Sequence, residues 1–448
     1  MIKVAKFGGS SVANAEQFKK VKDIILSDPA RKFVVTSACG KESSEDHKVT
    51  DLLYLCEAHV RYGVSYEPLF SLVEDKYRKI KEDLGLKLDL EAEFQKIRSR
   101  MKKGMSVDYL VSRGEYLAAL LLAEYLGYKF VDAADVIAFS YNGEIDMART
   151  AELMSARLDA EGVVIPGFYG ALPGGAIRVM SRGGSDITGS VIANIVGADV
   201  YENWTDVSGI YVADPRIVPH SVRVARVNYS ELRALSYLGA NVLHDDAVFP
   251  ASSKSIPINI RNTNEPENRG TMILNDCSEM DKEEPPYTIT GITGRKGFVG
   301  ITLVKNHSTV EVGFIRRLLS VFEDHHVSIE YMPSMVDSYS IIVRAEAVAN
   351  CLYDIVGWIR ERIRPDALMV EEHISLIACV GRGMQKKPGL AGKLLSQLGA
   401  EDINVKIIEL TSDELGIVFG IDDDRYEDAI RCIYDKFIAE EKKESRLI

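Results

Sequence analysis

Up to Cys277, short apolar runs alternate along the chain with segments in which apolar residues recur at helical spacing. Residues 33–38 and 163–168 are apolar enough to form buried strands, and residues 198–204 are predicted as a further strand, whereas residues 18–25 carry the spacing of a helix. Buried strands that alternate with helices are typical of a parallel sheet covered on both sides. The pattern therefore predicts an α/β fold with a mostly parallel sheet.

Beyond Cys277 the pattern repeats with an offset of 76 residues, from Gly313 to Gly389. Each copy has a glycine turn, an amphipathic helix and two strands, and a further strand precedes each helix, at residues 299–304 and 374–380. This order predicts two ferredoxin-like βαββαβ modules. Small modules of this kind tend to pair at exposed sheet edges, so we expect a homodimer or a tetramer.

These patterns define a predicted domain layout. Residues 1–277 form the α/β domain, and the charged stretch 278–286, which contains two prolines, is a linker. The first ferredoxin-like module spans 287–371, and the second spans 372–440.

Composition excludes several classes of protein. The 448 residues carry a formal net charge of -12, which argues against a general nucleic-acid binder because phosphate backbones select basic surfaces. No apolar run reaches the roughly 20 residues that span a bilayer, and no signal-peptide pattern is present, so we expect a cytoplasmic protein. The six cysteines form no CxxC pair and indicate reduced thiols. The eight histidines show no metal-binding spacing, so no metal ligand is predicted.

The first candidate for chemistry is the turn that contains Lys6, Gly8, Gly9 and Ser10, between a predicted strand and a predicted helix. Glycine permits a positive φ and close approach of a ligand to the backbone. Free N–H groups at the start of a helix attract phosphate, and Lys6 adds a positive charge. A tight turn with a solvated lysine is the alternative, and the flanking elements favour phosphate binding.

A second glycine turn, from Arg182 through Gly183, Gly184 and Ser185 to Asp186, precedes an apolar helix. Arginine can bind a carboxylate through two hydrogen bonds. Asp186 could orient a lysine or a metal, or it could simply cap the helix. Two glycine-rich helix starts with complementary charges favour a binding site over two independent caps.

Three further positions have both a structural and a functional interpretation. Glu115 opens an apolar helix, where its carboxylate either favours the helix dipole or binds a substrate ammonium group. Thr50 is predicted as a helix N-cap, and Phe168 follows a strand at a place where a pocket could open. Residues 205–216 form a turn-rich loop, suitable either for a nucleotide or as a polar connection.

Five motifs occur in a fixed order: KFGGSSV at 6–12, SRGE at 112–115, RGGSD at 182–186, WTDVSGIY at 204–211 and DPR at 214–216. In this order the chain resembles the aspartate kinases of the amino acid kinase family, over nearly its whole length. The implied fold is an amino acid kinase α/β sandwich followed by two ACT modules of the ferredoxin-like type. In that family the first module is inserted into the second, so residues 287–293 would be a strand of the second module.

The resemblance implies ATP-dependent, Mg²⁺-dependent phosphorylation of the side-chain carboxylate of L-aspartate. The product would be 4-phospho-L-aspartate, the first step toward lysine, threonine and methionine. The implied catalytic residues are Lys6 and Asp186. Lys6 would contact the phosphoryl group during its transfer, and Asp186 would orient Lys6. The implied substrate-binding residues are Thr50, Glu115, Phe168, Arg182, Gly183, Gly184 and Ser185. The implied ATP-binding residues are Lys6, Gly8, Gly9, Ser10, Thr205, Asp206, Tyr211 and Arg216. Mg²⁺ would be held chiefly by phosphates and water.

The same resemblance implies feedback by an amino acid, with lysine the first candidate and threonine the second. By position, the effector would lie near Gly313, Phe314, Ile315, Ser328, Ile329 and Glu330. The chain departs from the family pattern at Asn241, where a lysine is frequent, and at Asp245, where a proline is frequent. Two alternatives stay open: another amino acid kinase with a different acidic substrate, and a non-catalytic amino-acid sensor.

Overall fold

The computed structural model describes residues 1–157, 162–181, 183–239, 243, 245–283, 287–385, 387–411 and 415–439. The chain divides into two compact units. The first unit contains Met1–Ile210, Arg223–Leu232 and Asn241–Glu279, and the second contains the remaining residues.

The first unit is built on an eight-stranded sheet with the order β3-β4-β2-β1-β7-β9-β10-β8. Neighbouring strands run parallel except β9 and β10, and β5 and β6 form a separate antiparallel hairpin. The strands are β1 (Lys3–Phe7), β2 (Arg31–Thr36), β3 (Lys129–Phe130), β4 (Val163–Pro166), β5 (Tyr169–Ala171), β6 (Ile177–Val179), β7 (Val200–Thr205), β8 (Arg226–Asn228), β9 (Ile258–Asn262) and β10 (Thr271–Leu274).

Helices cover this sheet and enclose an apolar core that includes Phe7, Phe18, Val34 and Trp204. The helices up to Glu283 are α1 (Ala15–Leu26), α2 (Val49–Tyr62), α3 (Glu67–Leu84), α4 (Leu90–Arg100), α5 (Val107–Val111), α6 (Arg113–Leu126), α7 (Ala133–Val136), α8 (Met147–Ser155), α9 (Gly184–Val196), α10 (Tyr229–Leu238), α11 (Asp245–Ser252) and α12 (Ser278–Glu283). The predicted linker 278–286 thus includes a short helix.

Two helix starts differ from expectation. The Gly-Gly turn continues as a short 3-10 helix, Gly9–Val12, and α1 begins only at Ala15, because the Asn14 side chain accepts from the Gln17 amide at 3.1 Å. Thr50 is not an N-cap, since Lys48 occupies that position and α2 begins one residue before Thr50.

The second unit contains a six-stranded antiparallel sheet with the order β12-β13-β11-β14-β16-β15. Its strands are β11 (Gly291–Val304), β12 (Ser334–Met335), β13 (Ser338–Arg344), β14 (Ala367–Val380), β15 (Ile407–Leu410) and β16 (Gly416–Asp422). Its helices are α13 (Phe314–Asp324), α14 (Ala345–Val348), α15 (Leu352–Trp358), α16 (Leu390–Ala400) and α17 (Tyr426–Tyr434).

The long strands β11 and β14 join two ferredoxin-like halves. They pair antiparallel from Gly291 opposite Val380 to Val304 opposite Ala367. Only the later part of β11, from Phe298, also pairs with β13. The internal repeat has a structural counterpart, since α13 and α16 follow Gly313 and Gly389, which share a left-handed φ of 79°. The predicted fold class, a parallel α/β sandwich followed by two ferredoxin-like modules, is confirmed.

Two general expectations can be compared with the structure. Cys39, Cys56, Cys277 and Cys379 are buried and the other two cysteines are partly exposed; all six are free thiols. Over the described residues, the helices are too short or too polar to cross a membrane.

Candidate active site

The order in which strands are added to the sheet reverses at β1. Strands β2, β4 and β3 lie on one side of β1, while β7 and β9 lie on the other. Ligands of open α/β sheets bind beyond the carboxyl ends of the strands at such a switch point. The turn Gly8–Gly9 follows β1 at this place.

A cation and its carboxylate partner stand at this edge. Lys6, near the end of β1, is only 6% exposed, and its ammonium group forms an ion pair with Oδ1 of Asp186 in the first turn of α9. Asn203, which is the register partner of Lys6 on β7, donates from Nδ2 to the same oxygen at 2.8 Å. The Tyr201 hydroxyl donates to the backbone carbonyl of Asp186 at 3.1 Å. Strand β7 therefore fixes both the carboxylate and the backbone of Asp186, while the carboxylate holds Lys6 of β1.

Neither Asn203 nor Tyr201 was identified from the sequence. Both lie on β7, where polar and apolar residues do not alternate, so the sequence does not indicate which side chains point toward the site. The role of Asn203 could be inferred only from the parallel pairing of β1 with β7, because this pairing places Asn203 beside Lys6.

In the Gly-Gly turn, position 9 requires glycine because of close packing and not because of a positive φ. Gly8 has a φ of -70°, and Gly9 is also outside the left-handed region, so the expected use of that conformation is wrong. A Cβ on Gly9 would lie 2.9 Å from the Ala38 carbonyl oxygen, and one on Gly40 would lie 2.6 Å from the carbonyl carbon of Gly9. Two chain segments therefore touch backbone to backbone at the mouth of the site.

The amides of this turn divide into one that is bonded and two that are available. The Gly8 amide donates to the Trp204 carbonyl at 2.9 Å, so it is not free for a phosphate. Among the described residues, the amides of Gly9 and Ser10 have no acceptor. Two free N–H groups beside a buried lysine fit the oxygens of a nucleotide phosphate.

Glu115 is a buried carboxyl group with an unused acceptor. Its side chain lies in the first turn of α6 and is 5% exposed, and its Oε2 atom has no hydrogen-bond partner among the described residues. Burial raises the pKa of Glu115 to about 8, and hydrogen bonds from the backbone of Glu115 and Ala38 oppose this shift only in part. A substrate ammonium group would satisfy the free oxygen and favour the ionised form.

The connection from β4 to β5 packs directly against the start of α9. A Cβ on Gly167 would lie 2.6 Å from the Ser185 Cβ, and one on Gly184 would lie 2.7 Å from the Phe168 ring. Phe168 has a φ of 79°, rare for a residue with a side chain, and its amide donates to Thr188 Oγ1 at 3.0 Å. Strained backbone of this kind persists where the surroundings fix it, often at functional sites.

Some predicted substrate and nucleotide residues have less defined surroundings. Thr50 is half-buried in α2, and Arg182 lies outside the described residues. Thr205 Oγ1 donates to Asp206 Oδ1 at 3.1 Å at the end of β7. Tyr211 and Arg216 belong to the second unit, where the Arg216 guanidinium is 90% exposed and bonds to Asp214. Asn241 and the side chain of Asp245 also lie outside the described residues.

The predicted effector residues surround the start of α13 and the segment before β12. The Phe314 ring is buried against Tyr339, with ring centroids 5.0 Å apart, so it belongs to the core and cannot face a ligand. Glu330 is half-buried, and its Oε1 lies 2.7 Å from Nε of Arg344. Gly313, Ile315 and Ser328 are exposed, and Ile329 is half-buried.

No group of three or more His, Cys, Asp or Glu side chains able to hold a metal ion occurs in the part of the chain that the structure describes. The nearest carboxylate to Lys6, that of Asp186, is already engaged by Lys6 and Asn203.

Comparisons with known proteins agree with this geometry. The family model of the amino acid kinase family matches residues 1–262, and an ACT domain model matches residues 377–437. A crystal structure of aspartate kinase from Clostridium acetobutylicum is 43% identical, covers 97% of this chain and all of that chain, and superposes with a TM-score of 0.91. Aspartokinase 3 of Bacillus subtilis is 35% identical over 98% of this chain and 99% of its own length.

A third match is the crystal structure of E. coli aspartokinase III in complex with aspartate and ADP. It is 25% identical, covers 97% of this chain and 99% of that chain, and has a TM-score of 0.76. The matches extend over both units and over nearly the full length of each relative. The chain therefore belongs to the amino acid kinase family, among its aspartokinases.

Proposed function

We propose that this chain transfers the γ-phosphoryl group of ATP to the side-chain carboxylate of L-aspartate, which gives 4-phospho-L-aspartate and ADP. The observation that carries the proposal is the ion pair of the buried Lys6 with Asp186 at the switch point of the sheet, together with two free amides and the unpaired Oε2 atom of Glu115 in the described part of the chain.

Lys6 binds the phosphoryl group during transfer and stabilises the charge on its oxygens. The attacking carboxylate is already ionised, so the reaction requires no strong general base and depends on positioning and charge stabilisation. Asp186 orients the ammonium group of Lys6, and Asn203 holds Asp186 in place.

Glu115 receives the α-ammonium group of aspartate, because its free oxygen offers a buried ionic contact to a cation. Arg182 receives the α-carboxylate, in the planar geometry that arginine favours. The strained turn at Phe168, together with Thr50 and the α9 residues Gly183, Gly184 and Ser185, completes the substrate site.

The nucleotide phosphates bind at the amides of Gly9 and Ser10, beside Gly8, where a Cβ would lie 3.8 Å from the Lys6 ammonium nitrogen. Mg²⁺, when bound to those phosphates, neutralises part of their charge. Thr205, Asp206, Tyr211 and Arg216 are the further nucleotide-binding residues.

An end-product amino acid regulates the enzyme through the ACT modules, with lysine the first candidate and threonine the second. The site includes Gly313, Ile315, Ser328, Ile329 and Glu330, and Phe314 contributes only its backbone. We assign residues 1–277 to the kinase domain, with ACT modules at 287–371 and 372–440, and with residues 287–293, which are the approach to β11 and its first residues rather than a separate strand, belonging to the second. The protein acts in the cytoplasm as a homodimer or tetramer.

The experiment is a substrate profile. The purified chain is incubated with MgATP and L-aspartate, L-glutamate or acetate, and the acyl phosphate is trapped as its hydroxamate. Turnover with aspartate, and with neither of the other two acids, supports the proposal. Turnover with another acid keeps the fold and changes the substrate, whereas no turnover with any acid favours an amino-acid sensor.

A further inference from the structure

The first unit contains a cavity of about 410 Å³ beside the start of α6. Its walls come from α4, α5, α6 and the segment after β5. None of the residues proposed above for aspartate, ATP or the effector lines this cavity.

The cavity contains a buried cation without an anionic partner. Arg113 is only 6% exposed. Its Nη2 donates to Ser112 Oγ at 3.0 Å, and its Nε donates to the Tyr109 carbonyl at 3.2 Å. Among the described residues, its Nη1 has no acceptor and no carboxylate forms an ion pair with it. Buried arginines are normally paired, so this one has unused capacity for an anion.

Tyrosine rings take the place of a counter-ion. The guanidinium carbon of Arg113 lies 4.8 Å from the ring centroid of Tyr109, 4.5 Å from that of Tyr116 and 5.2 Å from that of Tyr169. The negative faces of these rings stabilise the cation without using its N–H groups.

The acids that line the cavity have partners of their own. Glu93 accepts from the Tyr116 hydroxyl at 3.1 Å and pairs with Lys96 at 2.6 Å. Asp132 accepts from the Tyr169 hydroxyl at 2.7 Å and caps α7. Neither carboxylate neutralises Arg113, so the cation remains available to a ligand.

A second guanidinium reaches the same cavity. Arg100, at the end of α4, is exposed and lies over the Tyr109 ring at 4.8 Å. It forms no ion pair with any carboxylate in the described part of the chain. Two unpaired arginines on one tyrosine ring form a cluster suited to an anion.

We propose that this cavity binds a small oxyanion, a carboxylate or a phosphate group, between the guanidinium groups of Arg113 and Arg100. Guanidinium groups bind both kinds of oxyanion through paired, charge-assisted hydrogen bonds. Ile97, Ile177 and the tyrosine rings provide apolar walls for the body of the ligand. The cavity shares no residue with the site proposed for the kinase reaction, and Arg113, two positions before Glu115 on α6, acts on that site only by lowering the pKa of the Glu115 carboxyl.

The test is a calorimetric titration of the full chain with sodium phosphate and, separately, with sodium benzoate. The same titrations of Lys6→Met distinguish binding in this cavity, which that substitution should leave intact, from binding of the probe at the site around Lys6. The variants are Arg113→Gln and Arg100→Gln. The matched control is Arg149→Gln, which removes an exposed arginine of α8 that pairs with Glu152 at 2.7 Å.

We expect saturable binding of at least one probe, and a dissociation constant about tenfold higher or more in each cavity variant but not in the control. Binding of phosphate alone would identify a phosphate ligand, and binding of benzoate alone a carboxylate ligand. No saturable binding by the unmodified chain, or equal binding by all variants, would overturn the proposal. If Arg113→Gln does not fold, Arg100→Gln still decides, since its side chain is exposed.

Discussion

Lys6 and Asn203 occupy paired positions on the adjacent parallel strands β1 and β7, and both contact the carboxylate of Asp186. The sheet register therefore determines the direction in which the Lys6 ammonium group points. A lysine held in this way has little freedom to reorient, which favours a reaction that depends on positioning.

The first prediction concerns this positioning. Asn203→Ala should lower kcat for aspartate phosphorylation about tenfold or more, with little change in the KM for aspartate, because a hydrogen bond to a charged group is lost. Steady-state kinetics measure both values. The control is Asn259→Ala, which removes another buried amide of the sheet, on β9. An unchanged kcat in Asn203→Ala would show that Asp186 needs no second support.

The two glycines of the turn should respond differently to alanine. In Gly9→Ala the new Cβ would meet the Ala38 carbonyl oxygen at 2.9 Å, whereas in Gly8→Ala the nearest backbone atom, the Trp204 carbonyl oxygen, is 3.5 Å away. Overpacking typically destabilises by roughly 1–3 kcal/mol, so Gly9→Ala should lower the melting temperature. Gly8→Ala should keep the melting temperature and raise the KM for ATP. The same melting temperature for both variants would contradict the packing role of Gly9.

Glu115 should make the stability of the ligand-free protein depend on pH. Its folded pKa of about 8 lies above the usual 4.5, so between these values the folded protein retains a proton that the unfolded chain releases. The contribution of Glu115 to stability therefore falls as pH rises through this window, by at most roughly 1.4 kcal/mol per pH unit. Glu115→Gln should remove this fall, as measured by denaturant unfolding across the window.

Aspartate binding provides the matching test on the substrate side. The ammonium group favours the ionised carboxylate, so binding near neutral pH should release a proton from Glu115. Calorimetry in buffers of different ionisation enthalpy detects this proton. Glu115→Gln should abolish the release and weaken aspartate binding, while Glu152→Gln, on exposed α8, should change neither. Proton release that persists in Glu115→Gln would assign the proton to another group.

The effector site can be tested at Glu330. Glu330→Ala should raise the lysine concentration for half-inhibition about tenfold or more while it leaves uninhibited turnover intact, because a buried carboxylate contact is removed. Glu346→Ala is the control, since its carboxylate is 80% exposed and lies 3.8 Å from the same Arg344. The same lysine concentration for half-inhibition in both variants would exclude Glu330 from the effector site. Inhibition by threonine but not by lysine would identify threonine as the effector.

Much of the fold could be predicted because it depends on local pattern. The apolar runs of β1, β2 and β4 and the repeat that starts at Gly313 and Gly389 are visible in the sequence. Segment ends were less predictable. Helix α1 begins after the cap at Asn14, and α2 begins after Lys48 and not after Thr50. Several polar residues near each start could serve as the cap, so the sequence does not determine which one does.

The site was predictable where a charged residue breaks an apolar pattern, as Lys6, Glu115 and Asp186 do. It was not predictable where the effect comes from tertiary contact. The role of Gly9 depends on Ala38, which approaches it only in the folded chain, and the support from Asn203 depends on strand pairing.

The most direct test of the proposed reaction is the rate of aspartyl hydroxamate formation from MgATP and L-aspartate by the unmodified chain, Lys6→Met and Lys20→Met. Lys20 is an exposed lysine of α1 and serves as the control. Loss of a preorganised charge at the transferring group should lower kcat by about two to three orders of magnitude in Lys6→Met and leave Lys20→Met unchanged. Turnover in Lys6→Met at the rate of the unmodified chain would contradict the assignment of phosphoryl transfer to this site.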